Sequence, residues 1–249
     1  MSDGVWSALS GAVGQLQLLD SAANNVSNAS TPGYRAERAV FREHLVRAGR
    51  RGDRQPRPAQ QAMSHSGIDG VANDTSAGQV VSTGRPLDCA IKGDGFLVVR
   101  TGAGERYTRL GNLHVAKDGS IVTRDGDTLV DRMRRPIKVS PESTDVAVGS
   151  DGSIVEGGAV VGQLTVVSFK HPETLERVGA LLYKAAPTDP PQQTTPTLET
   201  GALEGSNVSP VKSMVDIVTA VRNFEACERV IDAFKDADSR ASMDLMKPA

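Results

Sequence analysis

The chain has 249 residues, of which 39% are hydrophobic and only 4% aromatic, and its formal net charge is −2. This near-neutral balance gives no electrostatic reason to expect binding to nucleic acid or to an anionic membrane. No stretch approaches the ~20 apolar residues of a membrane span. With 25 glycines and few aromatic side chains, the composition favours a β-rich fold with many turns over a large enzyme core.

The first predicted element is an amphipathic helix that ends near residue 27. Its apolar or small residues recur at alternating steps of four and three, which is the spacing of a coiled-coil seam. This stripe comprises Val5, Leu9, Ala12, Leu16, Leu19, Ala23 and Val26. Pro32 cannot continue a helix, and Gly33 can take the positive φ that a turn after proline needs. Residues 1–45 are therefore predicted to be an N-terminal helix with its exit turn.

The middle of the chain is predicted to be a β body between two linkers. Residues 46–78 include five arginines between Arg47 and Arg57 among Gly, Pro and Gln, which predicts a flexible basic linker. In residues 79–187, short Val-, Ile- and Leu-rich runs alternate with Asp-Gly dipeptides, which are strong hairpin signals. Since no helical pattern separates these runs, the sheets should be antiparallel. Residues 188–209, with their Pro and Thr, are predicted to be a second linker.

Seven runs are predicted to be strands of this body. They are Asp88–Ile91, Phe96–Arg100, Arg106–Arg109, Ser120–Thr123, Ile137–Val139, Ser153–Val155 and Gln163–Phe169. The segment from Tyr34 to Phe41 is ambiguous, because its periodicity fits a strand and a short helix equally well.

A second long amphipathic helix is predicted for residues 210–249. Its stripe includes Met214, Ile217, Val221, Phe224, Cys227, Ile231 and Phe234. The expected fold class is thus mainly β with α-helical termini, in which the two helices form a coiled-coil-like stem. The stripes leave open whether the helices pair within one chain or with neighbouring copies.

The sequence offers little for catalysis or for metal binding. The four histidines are isolated, and none has a partner at metal-ligand spacing. The two cysteines, Cys89 and Cys227, lie far apart and are interpreted as small buried side chains. Aspartates of the Asp-Gly turns could be a hydrolase's paired acids, but each already has a sufficient turn-forming role. We therefore expect no catalytic residues, no cofactor, no metal and no small-molecule substrate.

Three motifs in the same order carry a family resemblance that spans nearly the whole chain. Residues 23–34, Ala-Asn-Asn-Val-Ser-Asn-Ala-Ser-Thr-Pro-Gly-Tyr, closely resemble the N-terminal signature of flagellar basal-body rod and hook proteins. Residues 83–96 and 107–111 resemble the middle motif of that family. Residues 201–208, Gly-Ala-Leu-Glu-Gly-Ser-Asn-Val, resemble the segment that leads into its C-terminal helix. Cys89 stands where the family usually has Val, which is a conservative difference.

The resemblance implies a structural subunit of the flagellar rod, the drive shaft that crosses the periplasm. Residues 29–33 and 85–88 are most similar to the proximal rod type, with the distal rod or a hook-type axial protein as alternatives. The implied partners are other rod subunits, proximal and distal, and the flagellar export apparatus. Export would be unfolded and without a cleaved signal peptide. No nucleic-acid partner and no membrane insertion are expected. An exported enzyme acting on the cell wall is the alternative of another class.

The residues expected to carry assembly lie on the two helices and at their ends. Those of the N-terminal seam are Val5, Leu9, Leu16 and Leu19, and those of the C-terminal seam are Val218, Val221, Phe224 and Ile231. Asn24, Asn25 and Asn28 are candidates to fix register through hydrogen bonds to neighbours, as buried Asn does in coiled coils. Pro32 and Gly33 set the exit turn, and Asn207 belongs to the segment before the second helix.

Overall fold

The computed structural model describes residues 2–46, 63–143 and 145–245, with side chains described for 4–40, 72–143, 145–237 and 239–240. It is mainly β, with one helix near each end of the chain, as the sequence predicted. Every strand pair with a described register is antiparallel. The first compact unit contains Met1–Val26, Glu37–Ala72 and Pro210–Ala249; the second contains Ser27–Ala36 and Asn73–Ser209.

Both helices belong to the first unit. Helix α1 spans Ser2–Ser27 and α2 spans Pro210–Leu245. Pro210 suits the first position of α2, because the first amide of a helix has no partner within the helix and proline lacks that amide. At about 1.5 Å per residue, α2 is roughly 54 Å long. No described helix is long and apolar enough to cross a bilayer.

The predicted exit turn after α1 is confirmed. The amide of Thr31 donates to the carbonyl oxygen of Asn28, and the amide of Tyr34 donates to that of Thr31. Gly33 has a φ of +73°, in the left-handed region that residues with a Cβ rarely occupy. Pro32 and Gly33 therefore form a turn whose geometry the two residue types dictate.

A two-stranded sheet of β1, Glu37–Val46, and β2, Met63–Asn73, corrects the first linker prediction. β1 also resolves the ambiguity of the segment after Tyr34 in favour of a strand. β2 lies inside the stretch that the sequence assigned to a flexible linker. Its Ser, Gly, Asp and Asn residues have low strand propensity, so pairing with β1 outweighs local preference there. The Arg47–Arg57 stretch lies outside the described residues.

The largest sheet of the second unit has the order β14-β15-β6-β5-β9-β8-β7, and β13 pairs with both β5 and β16. Its strands are β5 (Phe96–Thr101), β6 (Gly104–Thr108), β7 (Leu113–Val115), β8 (Ile121–Thr123), β9 (Thr128–Leu129), β13 (Val166–Ser168), β14 (Glu176–Val178), β15 (Leu182–Lys184) and β16 (Gln192–Thr194). A short 3₁₀ helix spans Pro172–Thr174.

Three smaller sheets complete the second unit, with the orders β10-β11-β12, β17-β4 and β18-β3. Their strands are β3 (Val80–Ser82), β4 (Cys89–Ile91), β10 (Val146–Val148), β11 (Ser153–Glu156), β12 (Ala159–Gln163), β17 (Leu198–Thr200) and β18 (Ala202–Glu204). Three Asp-Gly turns join consecutive paired strands, as predicted, with positive φ at Gly119, Gly126 and Gly152. The fourth, Asp94-Gly95, precedes β5 and does not close a hairpin.

Two further sequence predictions are corrected in this unit. Ile137–Val139 is not a strand, although isolated bridges join Ser120 to Lys138 and Val130 to Pro136 nearby. Residues 188–209, predicted to be a linker, contain β16, β17 and β18. Leu198 and Ala202 are buried there, because β17 and β18 pair with β4 and β3, more than a hundred residues earlier.

Strand β5 is buried on both faces and separates two hydrophobic clusters. Leu97 and Val99 point to a large aliphatic cluster that also contains Leu113, Ile121, Leu129, Ile154 and Leu164. Phe96 and Val98 point to an aromatic cluster that also contains Tyr107, Phe169 and Tyr183. This alternation follows from the two-residue period of a strand. In the aromatic cluster, Phe96 packs edge-to-face against Phe169 and Tyr183.

We predict that Gly111→Ala destabilises the second unit, called the β unit from here on, by about 1–3 kcal/mol, the usual range for overpacking. A Cβ at position 111 would overlap the carbonyl oxygen of Cys89, whose amide donates to the carbonyl oxygen of Gly111 at 3.0 Å. Gly102→Ala is the matched control, because its Cβ would enter open space. Denaturant unfolding of both variants measures the difference; equal midpoints would show that the backbone yields at no cost.

Candidate assembly site

The two helices contact each other through small residues. A Cβ built on Gly4 would lie 2.5 Å from Cζ of Phe234, and one on Gly11 would lie 3.5 Å from Sγ of Cys227. Nδ2 of Asn223 donates to Oε1 of Gln15 at 3.4 Å. In each of these three pairs the residue numbers add to 238. The constant sum shows that α1 and α2 run antiparallel where they touch.

The faces that meet within the chain are built from small side chains. On α1 the buried residues are Ala12, Gly14, Ser21, Ala22 and Asn25, of which Ser21 and Asn25 donate to the carbonyl oxygen of Glu37 in β1. Ser213 and Ala220 are buried on α2, where Phe224 and Ile231 lie half-buried on the same side as Cys227. Gly, Ala and Ser let two helix backbones approach closely, so burial here selects small residues.

Large apolar side chains lie on the opposite side of each helix and face solvent. On α1 they recur at steps of three, four and three, with exposed fractions from 43% to 62%: Trp6, Leu9, Val13 and Leu16. We call these four residues the α1 outer face. On α2 the same steps give the α2 outer face, with exposed fractions from 38% to 74%: Val211, Met214, Val218 and Val221. Val215 is exposed beside it.

The predicted seams combine residues from these two sides. Leu9 and Leu16 lie on the α1 outer face, whereas Val5 and Leu19 are half-buried. Val218 and Val221 lie on the α2 outer face, whereas Phe224 and Ile231 lie on the side that carries Cys227. The sequence prediction did not include Trp6 and Val13. Their spacing from Leu9 and Leu16 places all four residues on one side of the helix and could have identified them. Participation of all these residues in assembly stays a prediction.

The predicted register asparagines have contacts within the chain. Asn25 Nδ2 donates to the carbonyl oxygen of Glu37 at 2.9 Å, and its Oδ1 accepts from the amide of Glu37 at 2.8 Å. The Asn25 side chain thus makes both a donor and an acceptor bond with the backbone of Glu37, as the backbone of a paired strand would. Asn28 Oδ1 accepts from the hydroxyl of Thr31 at 3.3 Å, inside the exit turn. Asn24 is exposed on α1.

A buried ionic cluster in the second unit connects distant parts of its sequence. Oε1 of Glu204 accepts from Arg35 Nη2 at 2.6 Å and from the amide of Gly78 at 2.9 Å. Oε2 accepts from Arg109 Nη1 at 2.9 Å. All three charged side chains are at most 4% exposed. We call Arg35, Arg109 and Glu204 the buried triad.

The two arginines of the triad are positioned by further contacts. Arg35 Nη1 donates to the carbonyl oxygen of Thr75, and Arg109 Nη2 donates to that of Gly93. The Arg109 guanidinium also lies 5.4 Å from the ring centroid of Phe96. Burial lowers the pKa of Arg35, the nearby Arg109 charge lowers it further, and Glu204 opposes both effects. One carboxylate thus contacts two buried cations, so its loss would remove the ion-pair partner that both share.

Asn207 and Gly33 join the same region. Oδ1 of Asn207 accepts from the amide of Ala36 at 2.6 Å, and its Nδ2 donates to the carbonyl oxygens of Asp74 and Ser76. The amide of Gly33 donates to the carbonyl oxygen of Glu204 at 2.8 Å. A Cβ on Gly33 would lie 2.8 Å from the Arg109 backbone. These intrachain contacts account for the identity of both residues.

Sequence reasoning gave no role to Arg35, Arg109, Glu204 or Arg177. The guanidinium of Arg177 lies 4.6 Å from the ring centroid of Tyr34 and 5.2 Å from that of Tyr183, and it donates to Asn73 Oδ1 at 3.0 Å. Arg109 and Glu204 did stand inside the motifs that carried the family resemblance. Their mutual contact was invisible because 95 residues separate them.

The described residues contain no candidate metal cluster, since no group of three or more of their His, Cys, Asp or Glu side chains could hold a metal ion. The aspartates at the turns differ in their pKa shifts. Hydrogen bonds from Ser120 lower the pKa of Asp118, and those from Ser153 lower the pKa of Asp151. Burial and the nearby Asp125 raise the pKa of Asp127. Cys89 and Cys227 are free thiols, and burial raises the pKa of Cys89 to about 12.

The described residues thus combine a β-rich unit, a buried ionic cluster and two exposed apolar helix faces. Two protein-family models match segments of this chain. The flagellar hook protein FlgE/F/G D1 domain matches residues 90–156, and the flagellar basal body rod FlgEFG protein C-terminal model matches residues 199–243. The first match lies within the β unit, and the second covers β18 and most of α2.

Curated relatives extend the similarity to nearly the whole chain. The flagellar basal-body rod protein FlgG of Bacillus subtilis is 31% identical, over 91% of this chain and 93% of its own length. The FlgF protein of Escherichia coli is 32% identical over 98% and 99%, and that of Caulobacter vibrioides is 31% identical over 86% of each. The chain belongs to the family of flagellar basal-body rod proteins. Its relatives in that family are structural proteins, not enzymes.

We predict that Glu204→Gln destabilises the β unit by about 3–5 kcal/mol, the usual cost of removing one partner from a buried ion pair. The amide keeps the shape of the carboxylate but removes the negative charge that both buried guanidinium groups contact. Glu199→Gln is the matched control, because its ion pair with Lys92 is half-exposed and contributes at most about 1 kcal/mol. Urea unfolding measures the free energy of unfolding of both variants. A similar small decrease in both would contradict a structural role of the triad.

Proposed function

We propose that this chain is a structural subunit of the flagellar basal-body rod and that it assembles through its terminal helices. Membership of the rod protein family supports the first part. The observation that carries the second part is the exposure of eight large apolar side chains on the two outer faces. Their arrangement at coiled-coil spacing suits packing against a further helix. In this proposal the intrachain helix pair becomes one element of a larger coiled-coil-like layer.

The energetic case rests on the area that the outer faces leave in contact with water. Fully burying one Val, Leu or Met side chain contributes about 1.5–3 kcal/mol. Since these residues are roughly half exposed, burying the rest of all eight contributes on the order of 5–10 kcal/mol per subunit. Association must overcome lost rigid-body freedom of similar size, so a single contact is weak and a polymer with several contacts per subunit is stable.

The place of the subunit within the rod is proposed to be proximal, from the similarity of residues 29–33 and 85–88 to that type. A distal position is the second candidate, because relatives named FlgF and FlgG match at nearly the same identity. Other rod subunits and the flagellar export apparatus are the proposed partners, and the periplasm is the proposed location. Site-specific photo-crosslinking from exposed positions, followed by identification of the captured rod protein, distinguishes the two positions.

We predict that Leu16→Asp abolishes rod assembly and swimming while leaving the β unit folded. Leu16 is 43% exposed, so its loss costs little within the chain, but a carboxylate on the α1 outer face would be buried without a partner on assembly. The measurement is motility and basal-body isolation from cells in which the variant replaces the natural chain.

Ser7→Asp is the matched control for this prediction. Ser7 is also exposed on α1, but helical periodicity places it on the side away from the outer face. Cells with this variant should swim normally, and both variants should unfold at the same denaturant concentration. Normal swimming with Leu16→Asp would refute assembly through this face.

A further inference from the structure

We propose that the α1 outer face of one copy docks on the α2 outer face of a second copy of this chain, antiparallel and in one defined register. In that register Trp6 meets Val221, Leu9 meets Val218, Val13 meets Met214 and Leu16 meets Val211. This inference rests on the proposed function and adds the partner surface, the direction and the offset between copies.

The two faces match in length, spacing and character. Each consists of four large apolar residues at steps of three, four and three, and each spans the same length of helix. Residues 4–19 of α1 contain no charged side chain. The charged residues within 211–221 are Lys212 and Asp216, which helical periodicity places on other sides of α2. Docking therefore buries apolar residues without burying a charge.

The charges at the ends of the faces favour the antiparallel direction. Asp20 continues the α1 outer face by one further step of four. In the antiparallel register, Asp20 lies about three residues beyond the N-terminus of the second copy's α2, where the helix dipole stabilises an anion. In the parallel direction, Asp20 would face Glu225 on the same side of α2, which places two like charges together.

The proposed register differs from the register within one chain. Paired residue numbers add to 238 within the chain and to 227 between copies, a difference of eleven residues. At 1.5 Å per residue, the second copy is displaced by about 16 Å along the helix axis. A docked pair then retains one free α2 outer face and one free α1 outer face. Such a head-to-tail contact adds further copies at both ends, which gives a ring or an open helical assembly according to the rotation between copies.

Disulfide cross-linking between copies tests this register. The full-length chain with Leu9→Cys, Val218→Cys and Cys227→Ala replaces the natural chain in cells, which are treated with copper phenanthroline as the oxidant. Within one chain, residue 218 lies about 16 Å from the level of Leu9, too far for a disulfide, so any cross-link joins two copies. We expect a ladder of dimers, trimers and higher species on a non-reducing gel. Cys89 can remain, because its thiol is buried.

The swapped pair, Leu9→Cys with Met214→Cys in the same background, is the matched control. It should give no ladder, because about 6 Å along the helix separates these residues from their proposed partners. A ladder from this pair alone would establish the parallel direction and overturn the proposal. Swimming cells with no ladder from either pair would also overturn it, while leaving the rod function intact. Cells in which neither this chain nor its variants enter the basal body would refute the rod function itself.

A charge pair tests the proposed register if the cysteine variants do not swim. Leu9→Glu alone should reduce swimming more than tenfold, and adding Val218→Lys should restore most of it. Adding Met214→Lys to Leu9→Glu should not restore it, because position 214 faces Val13 in the proposed register. Equal restoration by both lysines, or by neither, would contradict the register.

Discussion

The carboxylate of Glu204 is the constraint on which the β unit most depends. It binds two arginines and a backbone amide that come from positions 35, 109 and 78. Such a buried charge set contributes less net free energy than an apolar cluster of the same size, because desolvation offsets most of the attraction. Its effect is on uniqueness, since any alternative packing that separates these groups leaves a buried charge uncompensated. The residues that follow α1 and those that precede α2 are thereby held in one arrangement. The side chain of Asn207 adds hydrogen bonds to the backbone of Ala36, Asp74 and Ser76 at the same place.

The helices show why burial and hydrophobicity give different answers in this chain. Gly4 and Gly11 contact Phe234 and Cys227, so the intrachain contact is made by the smallest residues on α1. Leu9 and Leu16 stay exposed, and in our proposal they make the contacts between copies. Ranking the residues of α1 by hydrophobicity predicts that the leucines make the contact within the chain. Asking where two helix backbones can approach closely predicts the glycines instead. The side of α1 that carries the glycines allows close contact with α2 of the same chain, and the α1 outer face carries the large apolar side chains.

Local signals account for the parts of the fold that the sequence predicted. The helix that ends before Pro32, the turn at Gly33 and the hairpins at Asp118-Gly119, Asp125-Gly126 and Asp151-Gly152 each depend on a few adjacent residues. β17 and β18 were missed because their partners lie more than a hundred residues away, and their own sequences are short and polar. The buried triad was missed for the same reason. Its members are recognisable only once the topology brings positions 35, 109 and 204 together.

The pairing of β17 and β18 with β4 and β3 also orders events during folding. Within the described residues, β3 and β4 pair only with β18 and β17, and Arg35 and Arg109 share the carboxylate of Glu204. Closing loops of this length is slow, because chain entropy is lost before any contact forms. We therefore expect these contacts to form late in folding, after residues 198–204 are available. A truncation before residue 198 would remove more than a helix, since it would leave the first strands of that unit unpaired.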